Sequence, residues 1–218
     1  LSRRLSWPVA RLLLRLPVNP NQVTLASLAV GLAASALFAA GGRGYALMGA
    51  LMLVLCYVLD NCDGEIARRT QRTSEFGRRF DSFVDWVVHA LFFLSLGYGA
   101  SRTSGEPLWL WLGALAFAGS TADYVVGFAL EARDRRRALA SGSRPRSGHE
   151  SPAESRQPEG WREWAVFGFR ELPRADFCFI VLALALFDLT WVLLPAGAVG
   201  AQAYWIVRFA RGAQEYHV

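Results

Sequence analysis

Six stretches of this sequence stay apolar for close to the ~20 residues that a helix needs to cross a bilayer. No other feature limits the fold as much. The stretches cover roughly 22–41, 45–63, 80–99, 108–130, 176–194 and 196–212. A water-soluble chain of 218 residues spreads its apolar residues along amphipathic elements, whereas here the 53% that are hydrophobic gather into blocks, with a mean hydropathy of +0.24. In hydrocarbon every backbone N–H and C=O must pair within its own segment. The expected fold is therefore an all-α integral membrane protein with six transmembrane helices. Runs two and six are impure: the first contains Asp60 and Asp63, the last Arg208.

The arginines predict the topology. All 23 basic residues are arginine. Four precede run one, five lie between runs two and three, ten between runs four and five, and Arg208 and Arg211 end run six. Only Arg43 and Arg102 fall on the other side. This alternation predicts a multi-pass protein of the cell (inner) membrane with both termini and the Asp60–Asp85 region in the cytoplasm. The net charge of +5 then suits anionic lipid and phosphate ligands. No basic patch interleaved with aromatics points to nucleic acid. Three cysteines without metal-type spacing and three scattered histidines offer no thiolate or imidazole site.

Residues 1–18 place leucines, Trp7 and Val9 among four arginines, which predicts a short amphipathic helix in the membrane interface. They lack the continuous apolar core and small-residue cleavage site of a signal peptide, and the absence of an initiator Met leaves room for a preceding segment. Pro17 and Pro20 interrupt the helix, and Asn19 or Asn21 can cap the next one. Residues 19–218 form the membrane domain. Within it 131–175 is the one long hydrophilic connection, expected to be a partly disordered cytoplasmic loop, with an interfacial segment at Trp161–Leu172. Trp109 and Trp111 suit an aromatic belt at the outer end of run four.

Between runs two and three the sequence reads Asp60-x2-Asp63-Gly64-x2-Ala67-Arg68-x8-Gly77-x3-Asp81-x3-Asp85. Carboxylates near membrane depth are costly and point to function. Asp60 and Asp63 are i and i+3, Asp81 and Asp85 are i and i+4, so each pair shares a helix face. Four convergent carboxylates repel one another unless cations neutralise them. All-oxygen ligands select hard ions, Mg²⁺ or in its place Mn²⁺, and four acids suit two ions. Gly64 lets a ligand approach the backbone, Ala67 keeps that face open, and Arg68 offers a fork matched to phosphate oxygens. Gly77 lets the chain pass close to the acids as it re-enters the membrane.

Every fixed position of this pattern resembles the signature of the class I CDP-alcohol phosphotransferases, or CDP-alcohol phosphatidyltransferases. The resemblance implies that Asp60, Asp63, Asp81 and Asp85 hold the metals, and that Asp85 also acts as the catalytic base. It implies that Gly64, Ala67, Arg68, Ser74 and Gly77, with Asn21 and Thr24 from the first membrane helix, bind the CDP-alcohol. The expected activity moves a phosphatidyl or other substituted phosphate group from a CDP-alcohol donor to the hydroxyl of a small alcohol, releasing CMP, in phospholipid biosynthesis. The family also favours a homodimer. The small-x3-small stretch Gly31–Ser35 would serve either an internal or an intersubunit contact.

Arg208 lies too deep in run six to be only a flank, and Arg133 and Arg174 sit at helix ends on the same side. They are expected to bind a phosphate on the acceptor, such as inositol phosphate or glycerol phosphate. Asp123, inside run four, stands to partner Arg208 or to meet the acceptor's hydroxyls. The Arg-Ala-Asp entry to run five also resembles members that transfer phosphoinositol from CDP-inositol to inositol phosphate, that is, di-inositol-phosphate phosphate synthases. A cation transporter would spread its acids through bilayer depth, whereas these cluster at one end. A non-catalytic relative usually loses a ligand, and here all four acids are kept.

Overall fold

The computed structural model describes residues 18–140 and 177–214, with five more between 8 and 14. Most of the expected interfacial helix, the segment 141–175, Trp161–Leu172 and Arg174 lie outside the described residues. The rest is all-α. Helix α1 spans Pro20–Ala40, α2 Arg43–Arg69, α3 Glu75–Ser104 and α4 Leu108–Ala140. Helix α5 spans Phe177–Leu186, and a 3₁₀ turn at Thr190–Val192 leads into α6, Leu193–Gln214.

Among the described residues five helical segments are long and apolar enough to cross a membrane: α1 to α4 and Thr190–Ala210. At 1.5 Å per residue the 21 residues of α1 extend about 31 Å, one hydrocarbon thickness. Helix α2 has 27 residues, which carries Asp60–Arg69 past its apolar stretch without breaking the helix.

Two boundaries differ from the expectation. Run five was read as far as 194, but α5 ends at Leu186. Asp188 takes the left-handed conformation there (φ 59°), and the Leu189 N–H caps back to the Leu184 carbonyl at 2.8 Å. Pro195 falls in the first turn of α6, where its missing N–H forfeits no helical bond. The described part of α5 is thus ten apolar residues. The second difference is at Glu131, where a loop was expected. Helix α4 continues to Ala140 because Glu131 pairs with Arg78, and Arg135 with Glu75, across to α3.

Helix α1 packs on α2 and α3, α3 on α4, α4 on α6, and α2 on α5. The main core joins α1, α2, α3, α5 and α6 around Phe38 and Phe92, whose rings meet edge to face at 5.0 Å. Gly31 and Ser35 turn inward: a Cβ on Gly31 would press on Val88 of α3 and Cys56 of α2, so this small-residue stretch makes an internal contact. At the end of the bundle away from the acids, helices touch backbone to backbone. A Cβ on Gly97 would lie 2.6 Å from the Trp109 carbonyl, one on Gly113 2.6 Å from that of Phe93, and one on Gly99 would collide with that of Phe38.

Candidate active site

The acids are brought together by a short turn. Helix α2 ends at Arg69 and α3 begins at Glu75, with Gln71 in the left-handed region (φ 54°) between them. The Arg72 N–H donates back to the Ala67 carbonyl at 3.0 Å, and Ser74 caps α3 by accepting from the Gly77 N–H at 2.9 Å. The chain therefore doubles back, and the last turns of α2 face the first turns of α3.

Across that interface one carboxylate oxygen each of Asp60, Asp63 and Asp81 lies within 4.8 Å of the others. Asp60 and Asp81 approach to hydrogen-bonding distance, and Asp85 is a further charged neighbour of Asp60. Carboxylates this close need a shared proton or a cation between them. Asp63 is buried at 6% exposure, and Thr24 of α1 donates its hydroxyl to Asp63 Oδ2. Ser27, fully buried, donates to the Thr24 carbonyl at 2.7 Å, which ties this support into α1. Asp85 is exposed, one turn along α3 from Asp81, and His89 Nδ1 lies 2.9 Å from its carbonyl. The donor set is all oxygen, crowded and anionic, and so fits a divalent metal.

Thr24→Val keeps the shape and removes the hydroxyl from Asp63. Partners that orient a ligand this way are typically worth about 10–100-fold in metal affinity. The expected result is a rise of that size in the Mg²⁺ concentration giving half-maximal turnover, checked by metal titration. An unchanged titration would mean that Thr24 does not orient Asp63.

The other sequence-derived residues surround this cluster. Arg68 bonds Glu65 at 3.1 Å and lies along α2 so that a Cβ on Gly64 would sit 3.4 Å from its Nη1. That is ordinary van der Waals contact, so Gly64 and the guanidinium are neighbours on one face of α2. Ala67 is half-buried on α2, and its carbonyl anchors the turn. Asn21, Ser74 and Gly77 come together: a Cβ on Gly77 would lie 3.1 Å from Ser74 Oγ and 3.3 Å from Asn21 Oδ1. Asn21 and Ser74 line a recess of about 470 Å³ with Asn19, Arg72, Phe76 and Phe80.

Arg208 is paired with Asp123 across α4 and α6, at 3.0 Å. Arg133 is half-buried on α4, ten residues past Asp123 and so about 15 Å further along the helix.

Two residues escaped the sequence reading. Glu65 holds both Arg68 and Arg69, the latter at 2.6 Å, and its i+3 and i+4 spacing to them was legible. Arg72 donates to Asn19 Oδ1 at 2.8 Å, joining the α2–α3 turn to the head of α1. Nothing in the spacing, 53 residues apart, signals that bond.

Helices of membrane length that bring three aspartates onto a candidate metal site, with an arginine alongside, are the architecture of a membrane enzyme acting on phosphate esters. Residues 17–207 match the pattern of the CDP-alcohol phosphatidyltransferase family, and the chain belongs to that family. It is 37% identical over 120 residues to the bifunctional IPC transferase and DIPP synthase of Thermococcus kodakarensis, covering 55% of this chain and 26% of that one. To the protein of the same description from Rubrobacter xylanophilus it is 36% identical over 88 residues, 40% of this chain and 20% of the relative. The matched segments are thus about a quarter of these relatives' length or less. The fold is similar to that of Mycobacterium tuberculosis phosphatidylinositol phosphate synthase in its crystal structure with CDP-DAG bound. That likeness has a TM-score of 0.61 at 22% identity and covers 96% of this chain and 94% of that one.

Proposed function

We propose that the chain transfers phosphoinositol from CDP-inositol to an inositol phosphate and releases CMP, in the manner of a di-inositol-phosphate phosphate synthase. The observation that carries the reaction class is the convergence of Asp60, Asp63 and Asp81 between α2 and α3. The choice of donor and acceptor follows the two relatives described as DIPP synthases. Asp60, Asp63 and Asp81, with Asp85, would hold Mg²⁺, two ions with Mn²⁺ as a substitute. Bound there, the ions would supply positive charge against the diphosphate and the departing CMP.

The chain's own groups do the rest. Asn21, Thr24, Gly64, Ala67, Ser74 and Gly77 form the wall for the CDP group, and Arg68 offers N–H donors to its phosphate oxygens. Asp85, exposed beside the cluster, accepts the proton of the acceptor hydroxyl. That oxygen forms a bond to the β-phosphorus, the bond from this phosphorus to the bridging oxygen breaks, and CMP leaves with the electron pair. Arg133, Arg174 and Arg208 bind the acceptor's phosphate. In this reading six helices cross the cell membrane, the site and both termini face the cytoplasm, and the protein works as a homodimer.

A second reading, transfer of a phosphatidyl group from CDP-diacylglycerol, is favoured by one feature. The recess beside Asn21 and Ser74 has an apolar wall of Leu25, Phe76 and Phe80, with Phe76 two-thirds exposed. An acyl chain would cover it.

CMP release by purified protein in detergent with Mg²⁺ separates the readings. CDP-inositol and CDP-diacylglycerol are each offered with inositol phosphate, glycerol phosphate, serine and inositol. Release from CDP-inositol with inositol phosphate is expected. Release only from the lipid donor would replace the first reading with the second. Neither release nor CDP binding from a folded protein would remove both.

A further inference from the structure

Asp123 and Arg208 lie outside the acidic motif, yet the helix register brings them to its depth. Arg78 pairs with Glu131, Arg79 lies 5.8 Å over the Phe128 ring, and Trp86 stacks on Tyr124 at 4.9 Å while donating to Thr121 at 3.3 Å. With α3 and α4 antiparallel, these pairs put Asp81 level with Gly127 and Asp85 level with Asp123. On α6, Gln202, Trp205 and Arg208 follow one another along the face turned to α4. Gln202 donates to the Leu115 carbonyl at 2.9 Å and accepts from Trp205 Nε1 at 2.8 Å. A Cβ on Gly119 would collide with Gln202, and one on Gly127 with Arg208 Nη1. Two glycines on α4 therefore make room for the polar side chains of α6.

The way Arg208 is held is unusual for an ion pair. Its Nη1 lies 3.0 Å from Asp123 Oδ2 as an ion pair and donates its hydrogen bond to the Asp123 carbonyl at 3.1 Å. Among the described residues Nε and Nη2 make no bond, and the side chain is 45% exposed. Asp123 Oδ1 is buried with no hydrogen-bond partner among the described residues. A guanidinium and a carboxylate free to choose make two parallel bonds. This pair forgoes the second, leaves a buried oxygen unsatisfied, and keeps one edge of the guanidinium open.

We propose that Asp123 is a positioning residue: with Gly127 as the seat, it fixes Arg208 by one nitrogen so that the Nε–Nη2 edge can take two oxygens of the acceptor's phosphate. This rests on the reading of the acceptor as a phosphorylated alcohol. Snorkelling of Arg208 toward lipid headgroups would call for neither a cleared seat nor an orphaned carboxylate oxygen.

The test is the Kd of inositol phosphate, read by calorimetry on the full chain in detergent with Mg²⁺ and CDP. The Kd of CDP and that of unphosphorylated inositol are measured alongside. Asp123→Asn and Gly127→Ala are each expected to weaken inositol phosphate about tenfold while leaving CDP and inositol unchanged. In an Arg208→Ala background Asp123→Asn is expected to add nothing. Loss of inositol phosphate binding in Arg208→Ala with no change in the other two single variants would overturn the positioning role. Equal weakening of inositol and inositol phosphate would reduce the pair to packing and overturn it too. Undiminished inositol phosphate binding in Arg208→Ala would instead remove the phosphorylated-acceptor reading at Arg208, and the proposal with it. If Asp123→Asn does not fold, Gly127→Ala decides alone.

Discussion

Asp85→Asn is expected to leave a folded protein that binds CDP normally and releases CMP about 10²- to 10⁴-fold more slowly, the usual worth of a general base. Asp85 is one turn from Asp81 on α3 but is not among the three acids that converge within 4.8 Å. Its exposed position suits a group that meets a second substrate. Asparagine keeps the size and one oxygen and loses the proton-accepting charge. Single-turnover CMP release, measured across rising Mg²⁺, checks the assignment. A rate that metal cannot restore is the signature of a lost base. Recovery at high Mg²⁺ would make Asp85 a ligand alone, and a wild-type rate would end its role altogether.

The second large effect is expected at Asp60, where function and stability should move in opposite directions. Asp60 lies against Asp81, with Asp63 and Asp85 close by, so like charges crowd it where burial already disfavours charge. Asp60→Asn removes one charge from that crowd, so in chelator the variant should unfold at a higher temperature than the wild type. With Mg²⁺ the order reverses. A ligand present at a hundred times its Kd stabilises the native state by about 2.7 kcal/mol, and the wild type alone should gain it. CMP release by the variant should fall to background. Thermal unfolding in detergent with and without Mg²⁺ reads both effects. An equal Mg²⁺ shift in the two proteins would show that the ion is held without Asp60.

Much of this arrangement is legible in the sequence because it rests on short spacings. The carboxylates at i, i+3 and i, i+4 and the apolar lengths of α1 to α4 are local properties, and hydropathy and helix period report them directly. Thr24 was placed beside the donor site by resemblance, and the structure adds its bond to Asp63. What was misread depends on contacts that no window along the chain contains. Glu131 continues α4 as helix because Arg78, 53 residues earlier, is there to meet it. The end of α5 is set by a left-handed Asp188, while the more conspicuous Pro195 sits harmlessly in a first turn. Asp123 could be read as a partner for Arg208, but the one-nitrogen grip and the seat at Gly127 exist only in three dimensions.

The glycine contacts far from the acids have a mechanical consequence. Where Gly99 meets Phe38, and Gly97 meets Gly113 and the Trp109 carbonyl, backbone rests on backbone with no rotatable group between. Such a joint has no slack, and sliding it means breaking van der Waals contact along the whole seam. The acidic pole is fastened differently, by long side chains such as Arg78 on Glu131 and Arg135 on Glu75, which can pivot while their charges stay paired. The bundle is thus built like a pair of tongs, welded at one pole and sprung at the other. Flexing the sprung ends would leave the apolar interior packed as it is.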